Sequence, residues 1–318
     1  MSGRHAEPGP NRKREFIIAA KPGVTIDLVA VERAAAGQID DSEGAGDLFP
    51  PRGHQGPCRI CGVTGKMTEE HLPPRTVQYR RRMQGVTLQD WFSMEDLDVP
   101  ARGRVIQGGV SGYMLCPECN NRSGQYAREY QEWARGAAEV VRSLGQTPEE
   151  IDAQDAYPYV TLSVRDLYPG RLARSVIAMM LSISGSPELG ERYPILRELA
   201  LGEAHAPIPE TLRLFMVLYA GPSIRIVGGP AGQAIIDTET GVVTRMLEVA
   251  YPPFAFQMIL EGNPERASGV DISAFTEIGL DERKDFQIED LLIGFGHTPY
   301  PGDYRTRAKV LAEAEHGD

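Results

Sequence analysis

Hydrophobic residues recur at helical spacing in two parts of the 318-residue chain. The second part, residues 171–184, is apolar on nearly every side and predicts a largely buried helix. Between the two parts, Thr147 has the residue type of an N-cap and predicts the start of a separate helix. The first part predicts an amphipathic helix that begins after Pro117 and ends at Gly145. Its apolar residues follow one another at steps of three and four: Tyr126, Tyr130, Trp133, Ala137, Val140, Val141 and Leu144.

Shorter apolar runs, separated by Gly and Pro, predict strands. One extended stretch is predicted at residues 67–72, after a turn at 62–66, and a second at 112–115. We therefore predict the α+β class, with a small unit of two strands and a helix followed by a mostly antiparallel sheet. The strands of that sheet are predicted at 157–164, 212–219, 223–227, 233–236, 242–246, 254–259 and 288–293.

Three segments are expected along the chain. Residues 1–52 predict a disordered or loosely packed N-terminal segment and linker, because residues 1–14 are polar and rich in Pro and Gly. Residues 53–145 predict a metal-binding domain, within which residues 75–108 are interpreted as an insertion. Residues 146–318 predict an α+β domain, to which no motif assigns a role.

Composition and charge limit the classes of protein to which this sequence can belong. With 42% hydrophobic residues, 24% charged residues and no apolar run of membrane-spanning length, the sequence predicts a soluble globular chain. Its formal net charge of −11 argues against a protein that coats nucleic acid through bulk electrostatics. Residues 52–142, however, carry 13 Lys and Arg against 10 Asp and Glu, a net of +3, which leaves −14 for the rest. A polyanionic partner is therefore expected at this segment.

The start of the sequence has no apolar secretory stretch, which favours a cytoplasmic protein.

Four cysteines form two CxxC pairs, Cys58 with Cys61 and Cys116 with Cys119. Two thiolates separated by two residues can both reach one tetrahedral Zn²⁺, and a second pair completes its four ligands. A disulfide is less favoured, because nothing in the sequence indicates an oxidising compartment. Free buried cysteines are the simpler alternative, but the matched pairs favour a structural zinc site.

Glu70, His71 and Asn120 lie beside these pairs. A neutral imidazole, with a pKa of about 6.5, is suited to take a proton from water at physiological pH. Hard divalent ions such as Mg²⁺ and Mn²⁺ prefer carboxylate and amide oxygens, and Glu70 and Asn120 supply one of each. Together these residues could supply a general base and the ligands of a divalent ion. Glu69 could serve in place of Glu70, His71 could be a zinc ligand or a packed core residue, and Asn120 or Asn121 could cap the following helix.

The same residues belong to three strings that occur in a fixed order: CRIC at 58–61, EHLPP at 70–74 and CPECNN at 116–121. Each string alone is common, and the ordered set is not. Over roughly residues 58–125 the chain resembles the HNH (ββα-metal) endonucleases, in the subgroup that carries two CxxC pairs. Some proteins of this subgroup act in restriction or antiphage defence.

The resemblance implies a zinc-anchored ββα-metal module. It implies that His71 is the general base and that Glu70 and Asn120 bind the catalytic Mg²⁺ or Mn²⁺. The sequence departs from the family pattern at two positions. Ser111 stands where the family usually has its middle Asn, and the first ligand of the family is more often Asp or His than Glu.

Nucleic acid, in the first place DNA, is the expected partner of such a site, and no membrane partner is expected. Symmetric cleavage of both strands would require a homodimer or two successive nicks. The alternative is a non-catalytic zinc-binding adaptor that binds nucleic acid or protein, suggested by Ser111 and the acidic net charge. Basic residues near the motif are candidates for phosphate contacts, although the run of three arginines could equally be a solvated face: Arg75, Arg80, Arg81, Arg82 and Arg122.

Overall fold

The computed structural model describes residues 48–75, 83–84, 105–106, 110–221, 224–229, 233–236, 241–298 and 300–315. Residues 1–47 of the predicted N-terminal segment, and the arginine run at 80–82, lie outside these ranges. The strands are β1 (Gln55–Pro57), β2 (Thr64–Lys66), β3 (Thr68–His71), β4 (Met83–Gln84), β5 (Val105–Ile106), β6 (Ser111–Leu115), β7 (Tyr159–Leu167), β8 (Arg213–Tyr219), β9 (Arg225–Val227), β10 (Gln233–Ile236), β11 (Val243–Tyr251), β12 (Phe254–Glu261), β13 (Val270–Asp271) and β14 (Lys284–Gly294). The helices are α1 (Pro117–Gly124), α2 (Ala127–Ser143), α3 (Pro148–Asp152), α4 (Pro169–Ile183), α5 (Glu188–Arg192), α6 (Pro194–Ala200) and α7 (Arg307–Glu315), with short 3-10 helices at Pro264–Arg266 and Ser273–Glu277.

One large sheet forms most of the C-terminal part of the fold. Its strands follow the order β10-β11-β12-β8-β14-β7, with β9 paired to β11 and β13 paired to β8. These pairs are antiparallel except for β14 with β8, which is parallel. The prediction of an α+β fold with a mostly antiparallel sheet is confirmed.

Helix α4 is the buried helix that the sequence predicts at 171–184. It contacts α1, α2, α6 and strand β11, so it is enclosed from several sides. Fourteen of its 15 residues are buried, and the exception is Arg171. Apolarity around the whole helix, rather than on one stripe, is the pattern that such an enclosed position requires.

The amphipathic helix predicted after Pro117 is two helices, α1 and α2. The first ends at Gly124, and glycine disfavours continuation of a helix by about 1 kcal/mol relative to alanine. Thr147, in contrast, caps α3 as predicted. Its hydroxyl accepts a hydrogen bond from the backbone N–H of Glu150, whose carboxylate accepts one from the N–H of Thr147.

The apolar face predicted for α2 packs against the large sheet and its loops. Tyr130 contacts Phe254 and Phe256, with ring centroids 6.2 and 6.0 Å apart. Trp133 contacts Phe275 and Phe286 at 5.8 and 6.0 Å. Such aromatic pairs stabilise a core beyond the area that they bury. Leu144, at the end of the predicted apolar face, is 38% exposed.

Two small sheets hold the cysteine-bearing region. Strand β1 pairs with β2, and β3 pairs with β6, both antiparallel. The predicted turn at 62–66 is therefore wrong over Thr64–Lys66, which forms β2. The first cysteine pair folds the chain back, so that the residues after it meet the strand before it. Strand β6 leads directly into α1, which gives the local order strand, strand, helix.

One hydrophobic core joins this region to the large sheet. Buried residues near the cysteines, among them Ile60 and Met114, belong to the same cluster as Val176 of α4 and Phe256 of β12. Because these side chains are buried in one cluster, their removal from water stabilises the cysteine-bearing region and the large sheet together. None of the described helices combines the length and the apolar character needed to cross a membrane.

Candidate metal centre and candidate active site

The four cysteine sulfurs converge on one point. Their Sγ atoms all lie within 4.8 Å of one another, and those of Cys61 and Cys116 are 3.8 Å apart. Zinc bound tetrahedrally at about 2.3 Å from each sulfur places the sulfurs about 3.8 Å from one another. The group can hold a metal ion, and its spacing is compatible with structural zinc.

The turn of the first pair follows from its backbone. The N–H of Cys58 donates to the carbonyl of Val63 at 3.0 Å, and the N–H of Gly62 donates to the carbonyl of Cys58 at 2.8 Å. Gly62 has φ +78°, a left-handed conformation that glycine adopts without steric cost. The residue after the second cysteine of this pair therefore closes the turn that presents both thiols.

The second pair is presented by the start of α1. Cys116 is the N-cap of this helix, and its Sγ accepts a hydrogen bond from the backbone N–H of Cys119 at 3.5 Å. Proline, whose fixed φ suits the first helical turn, follows at position 117. The alternative that Asn120 or Asn121 caps the helix is wrong, because both lie inside it.

The clustered thiols differ in acidity. A hydrogen bond with Cys119 lowers the pKa of Cys58 to about 4, whereas the same bond raises the pKa of Cys119. Burial raises the pKa of Cys61. The Cys58 thiol therefore ionises readily, and a bound cation would favour loss of the protons of Cys61 and Cys119, since metal ligands must be deprotonated.

Asn120 joins α1 to strand β3. Its Nδ2 donates to the hydroxyl of Thr68 at 2.9 Å and to the backbone carbonyl of Glu69 at 2.8 Å. Neither bond uses Oδ1 of the amide, which leaves an oxygen of the type that hard cations prefer. The side chain of Asn120 therefore fixes α1 against the strand that carries the acidic residues and the histidine.

Glu69 and His71 lie on one side of β3, as alternation along a strand requires. In the pairing with β6, His71 is opposite Ser111. The hydroxyl of Ser111 donates to Oε1 of Glu69 at 2.9 Å, and Oε2 of Glu69 lies 3.8 Å from Nε2 of His71. Ser111 thus contacts the candidate site through Glu69.

The imidazole of His71 is 18% exposed. Its Nδ1 is buried and has no hydrogen-bond partner among the described residues. Burial lowers the pKa of His71, the carboxylate of Glu69 acts in the opposite direction, and the charge of Arg75 lowers the pKa further. The ring is therefore neutral at pH 7, which is the state of a general base.

Glu70 lies on the opposite side of β3 from His71, across from Gly112. A side chain at Gly112 would place its Cβ 3.0 Å from the backbone of Phe49, so the segment before β1 covers this part of the sheet closely. Burial raises the pKa of Glu70 to about 8. No hydrogen bond among the described residues joins Glu70 to Asn120. The structure thus brings Asn120 and His71 into contact with Glu69, and it leaves Glu70 in a more enclosed position.

The predicted phosphate-binding arginines occupy different environments. Arg75 is exposed, and its charge acts on His71, so it remains a candidate. Arg122 donates to the carboxylate of Glu203 and to the carbonyl of Leu201, both at 2.7 Å, and therefore links α1 to the loop after α6. Arg80, Arg81 and Arg82 lie outside the described residues.

Arg59, between the first two cysteines, has a role that its position in the sequence does not predict. Its side chain is buried, and Nη1 donates to the carbonyls of Leu48 at 2.8 Å and of Ser182 at 2.5 Å and contacts Sδ of Met114 at 3.3 Å. Ser182 lies in the last turn of α4, where the helix dipole favours a positive charge. The turn that carries Cys58 and Cys61 is therefore anchored on the C-terminus of α4.

The residues present can hold one ion in a cysteine cluster and place a histidine, two carboxylates and an amide beside it. No protein-family model, curated protein or solved structure matches the chain. The function is therefore inferred from the chemistry of these side chains.

Proposed function

We propose that the chain is a metal-dependent endonuclease of the HNH (ββα-metal) type, which hydrolyses phosphodiester bonds of nucleic acid, in the first place DNA. One observation carries this proposal. The order strand, strand, helix of β3, β6 and α1 is anchored by four cysteines, and Asn120 of α1 bonds to the strand that ends in His71. A histidine, the carboxylate of Glu69 and an amide side chain thereby lie beside the four cysteines.

In this proposal the ion of the four cysteines is Zn²⁺ with a structural role. A closed shell of four thiolates has no open position for substrate, which is typical of structural and not of catalytic zinc. The unit of β3, β6 and α1 is small, and metal binding would supply folding free energy there. Support comes from the close approach of the four sulfurs.

His71 is the proposed general base. Burial lowers its pKa, so the imidazole is neutral near pH 7 and can take a proton from the attacking water. Glu70 and the Oδ1 of Asn120 are the proposed ligands of Mg²⁺ or Mn²⁺, which would neutralise charge that develops on the phosphate and the leaving oxygen. Both donors are oxygens, as these ions prefer. Glu70 must first lose the proton that its raised pKa favours.

Arg75 is the proposed contact to the substrate backbone. It is exposed and close enough to affect His71 electrostatically, so a phosphate beside it would lie near the base. Contacts of this kind position a nucleic acid without reading its sequence. Arg122 is less suited to that task, because Glu203 already pairs with it at 2.7 Å.

A plasmid-nicking assay with zinc-loaded protein in Mg²⁺ or Mn²⁺ tests the proposal. We expect wild type to nick, and His71→Ala to lose at least about 100-fold in rate, since a general base contributes about 10²–10⁴. His54→Ala is the matched control, because it removes an imidazole from the same region but outside β3. Equal cleavage by wild type and His71→Ala would overturn the proposal.

A non-catalytic zinc-binding adaptor is the second candidate. It is favoured by the raised pKa of Glu70, since a protonated carboxyl at neutral pH does not bind a divalent ion. An adaptor would bind nucleic acid or protein without cleaving it, and His71→Ala would leave binding intact. Cleavage that depends on Mg²⁺ or Mn²⁺ and is lost in His71→Ala would rule it out.

A further inference from the structure

We propose that Arg174 and Tyr126 form an internal binding site for one small monovalent anion, of the class of chloride. The site lies where four parts of the chain meet: the junction of α1 and α2, the start of α4, the loop after α6 and the loop before β14. It contains none of the residues of the candidate active site, and the inference does not depend on the nuclease function.

Arg174 carries a fully buried charge. Its Nη1 donates to the carbonyls of Gly170 at 2.7 Å and of Ile278 at 3.3 Å, and its Nη2 donates to the carbonyl of Ala204 at 2.6 Å. A guanidinium stays protonated in proteins, so these carbonyls satisfy donors without neutralising the charge. No carboxylate of the described residues pairs with Arg174; burial lowers its pKa, and Tyr126 acts in the opposite direction. Buried charges are normally paired, and this one lacks a counter-ion within the described part of the chain.

Two buried polar atoms at this place have no hydrogen-bond partner among the described residues: Nε of Arg174 and the hydroxyl oxygen of Tyr126. The side chain of Gln125 adjoins the hydroxyl, but its geometry is not that of a hydrogen bond. Burial raises the pKa of Tyr126, so the hydroxyl keeps its proton and can donate it. The Nε–H of an arginine can only donate. Buried donors are nearly always paired, so a ligand that accepts from both is expected here.

The surrounding charges favour an anion over a water molecule. Water could accept both hydrogen bonds, but it would leave the charge of Arg174 unbalanced. Two other arginines act on the same hydroxyl, and each already has a carboxylate partner. Arg122 pairs with Glu203 at 2.7 Å, and Arg171 pairs with Asp281 at 2.8 Å. The unbalanced charge of this region is therefore the single positive charge of Arg174, which one monovalent anion neutralises.

The enclosure of the site limits the size of the ligand. Gly202, in the loop after α6, has φ +72°, and a Cβ at this position would lie 2.3 Å from the hydroxyl oxygen of Tyr126. The loop can cover the hydroxyl this closely because glycine has no side chain. Both unpaired atoms are shielded from solvent, so a phosphate of a nucleic-acid backbone does not reach them. A monatomic anion is the class of ligand that remains.

Urea unfolding of the full-length, zinc-loaded protein tests the inference. Chloride replaces gluconate at constant ionic strength, so that screening is unchanged. For one site that is occupied only in the folded state, the unfolding equilibrium constant of wild type should fall about tenfold for each tenfold rise in chloride above Kd. Tyr126→Phe keeps the ring and removes the hydroxyl. It should raise the Kd for chloride about 10- to 100-fold, because a hydrogen bond to a charged group is lost.

Two further variants complete the comparison. Arg174→Met removes the charge and should abolish the dependence on chloride. Three carbonyls lose their donor in this variant, so Tyr126→Phe decides the test if Arg174→Met does not fold. Tyr159→Phe is the matched control, because it removes a hydroxyl from a residue that is 57% exposed. Its dependence on chloride should equal that of wild type.

Bromide locates the anion. Crystals soaked in sodium bromide should show an anomalous scattering peak within hydrogen-bond distance of Nε of Arg174 and the hydroxyl of Tyr126. A water molecule at this point, or an equal chloride dependence in wild type and Tyr126→Phe, would overturn the inference. Bromide at this point without any effect of chloride on stability would also overturn it, since the bromide would then be an adventitious ion only. None of these outcomes bears on the nicking activity, so the nuclease proposal stands or fails separately.

Discussion

Replacing Glu70 by Gln should change the pH dependence of stability in a direction that can be worked out. Burial raises the pKa of Glu70 from 4.5 to about 8 in the folded protein, and unfolding returns it to its ordinary value. Between these values the folded state binds one proton more than the unfolded state. The free energy of unfolding therefore falls as pH rises through this window. Glutamine has a similar shape and does not titrate, so Glu70→Gln lacks this decrease.

The size of the effect follows from the two pKa values. One pKa unit corresponds to about 1.4 kcal/mol. Between pH 6 and pH 8, ionisation of Glu70 should lower the free energy of unfolding of wild type by about 2 kcal/mol relative to Glu70→Gln. Above about pH 8 the difference should become constant. Titration of the cysteines is common to both proteins and cancels in the difference.

Urea unfolding at pH 6, 7, 8 and 9, followed by circular dichroism, measures this difference. The proteins are loaded with zinc and contain no Mg²⁺ or Mn²⁺, so that no divalent ion competes with the proton of Glu70. Glu118→Gln controls for loss of a carboxylate at an exposed position. If the free energies of unfolding of wild type and Glu70→Gln change equally with pH across this range, burial does not raise the pKa of Glu70 as stated.

The same titration predicts how the proposed ion binds. If Glu70 is a ligand, the ion must displace its proton, so apparent affinity for Mg²⁺ should rise about tenfold per pH unit below about pH 8. Glu70→Gln should bind Mg²⁺ weakly at every pH while being the more stable protein. Calorimetric titration at pH 6, 7 and 8 gives the slope, and an affinity independent of pH would exclude Glu70 as the ligand.

Three further predictions concern the anchoring and the base. Arg59→Met should lower the free energy of unfolding by about 3 kcal/mol, because buried carbonyls lose a charged donor. Arg52→Met, at an exposed position, should change it by less than about 0.5 kcal/mol. Equal urea midpoints for the two variants would contradict this prediction. A strong zinc chelator should lower the melting temperature of wild type, and Cys119→Ser should lower it without chelator; a melting temperature insensitive to both would exclude a structural metal. Because burial lowers the pKa of His71 from 6.5 and the neutral ring is the active form, the nicking rate at saturating Mg²⁺ or Mn²⁺ should fall to half its maximum at a pH below 6.5; under that condition a half-maximum above 6.5 would refute the assignment.

The sequence predicted the elements whose pattern is long or strongly periodic. Helix α4 and the apolar face of α2 follow from the spacing of their apolar residues, and Thr147 identifies the start of α3. Helices α5 and α6 were not predicted, because each has seven or fewer residues and too few turns to show a period. The sequence predicts a turn at β2, since its three residues, Thr, Gly and Lys, show no alternation of apolar and polar side chains.

The candidate site was predictable in its residue types and less so in its geometry. Matched spacing indicated that the four cysteines converge, and they do. Which residue of β6 lies opposite His71 depends on the register of β3 with β6, which contains an irregularity between Thr68 and Glu69. A short sequence does not reveal such a shift. The partners of Arg59 lie up to 123 residues away, so its burial depends on tertiary packing alone.

The packing of Trp133 makes this residue an optical probe of the protein. Its indole contacts Phe275 and Phe286, and its Nε1 donates to Glu129 at 3.1 Å. Helix α2 follows α1 closely, so a displacement that starts at the cysteines or at Asn120 would move the ring toward water and shift its emission to longer wavelength. The chain has one other tryptophan, Trp91. In a Trp91→Phe background, the fluorescence of Trp133 would report metal loss or nucleic-acid binding without an added label.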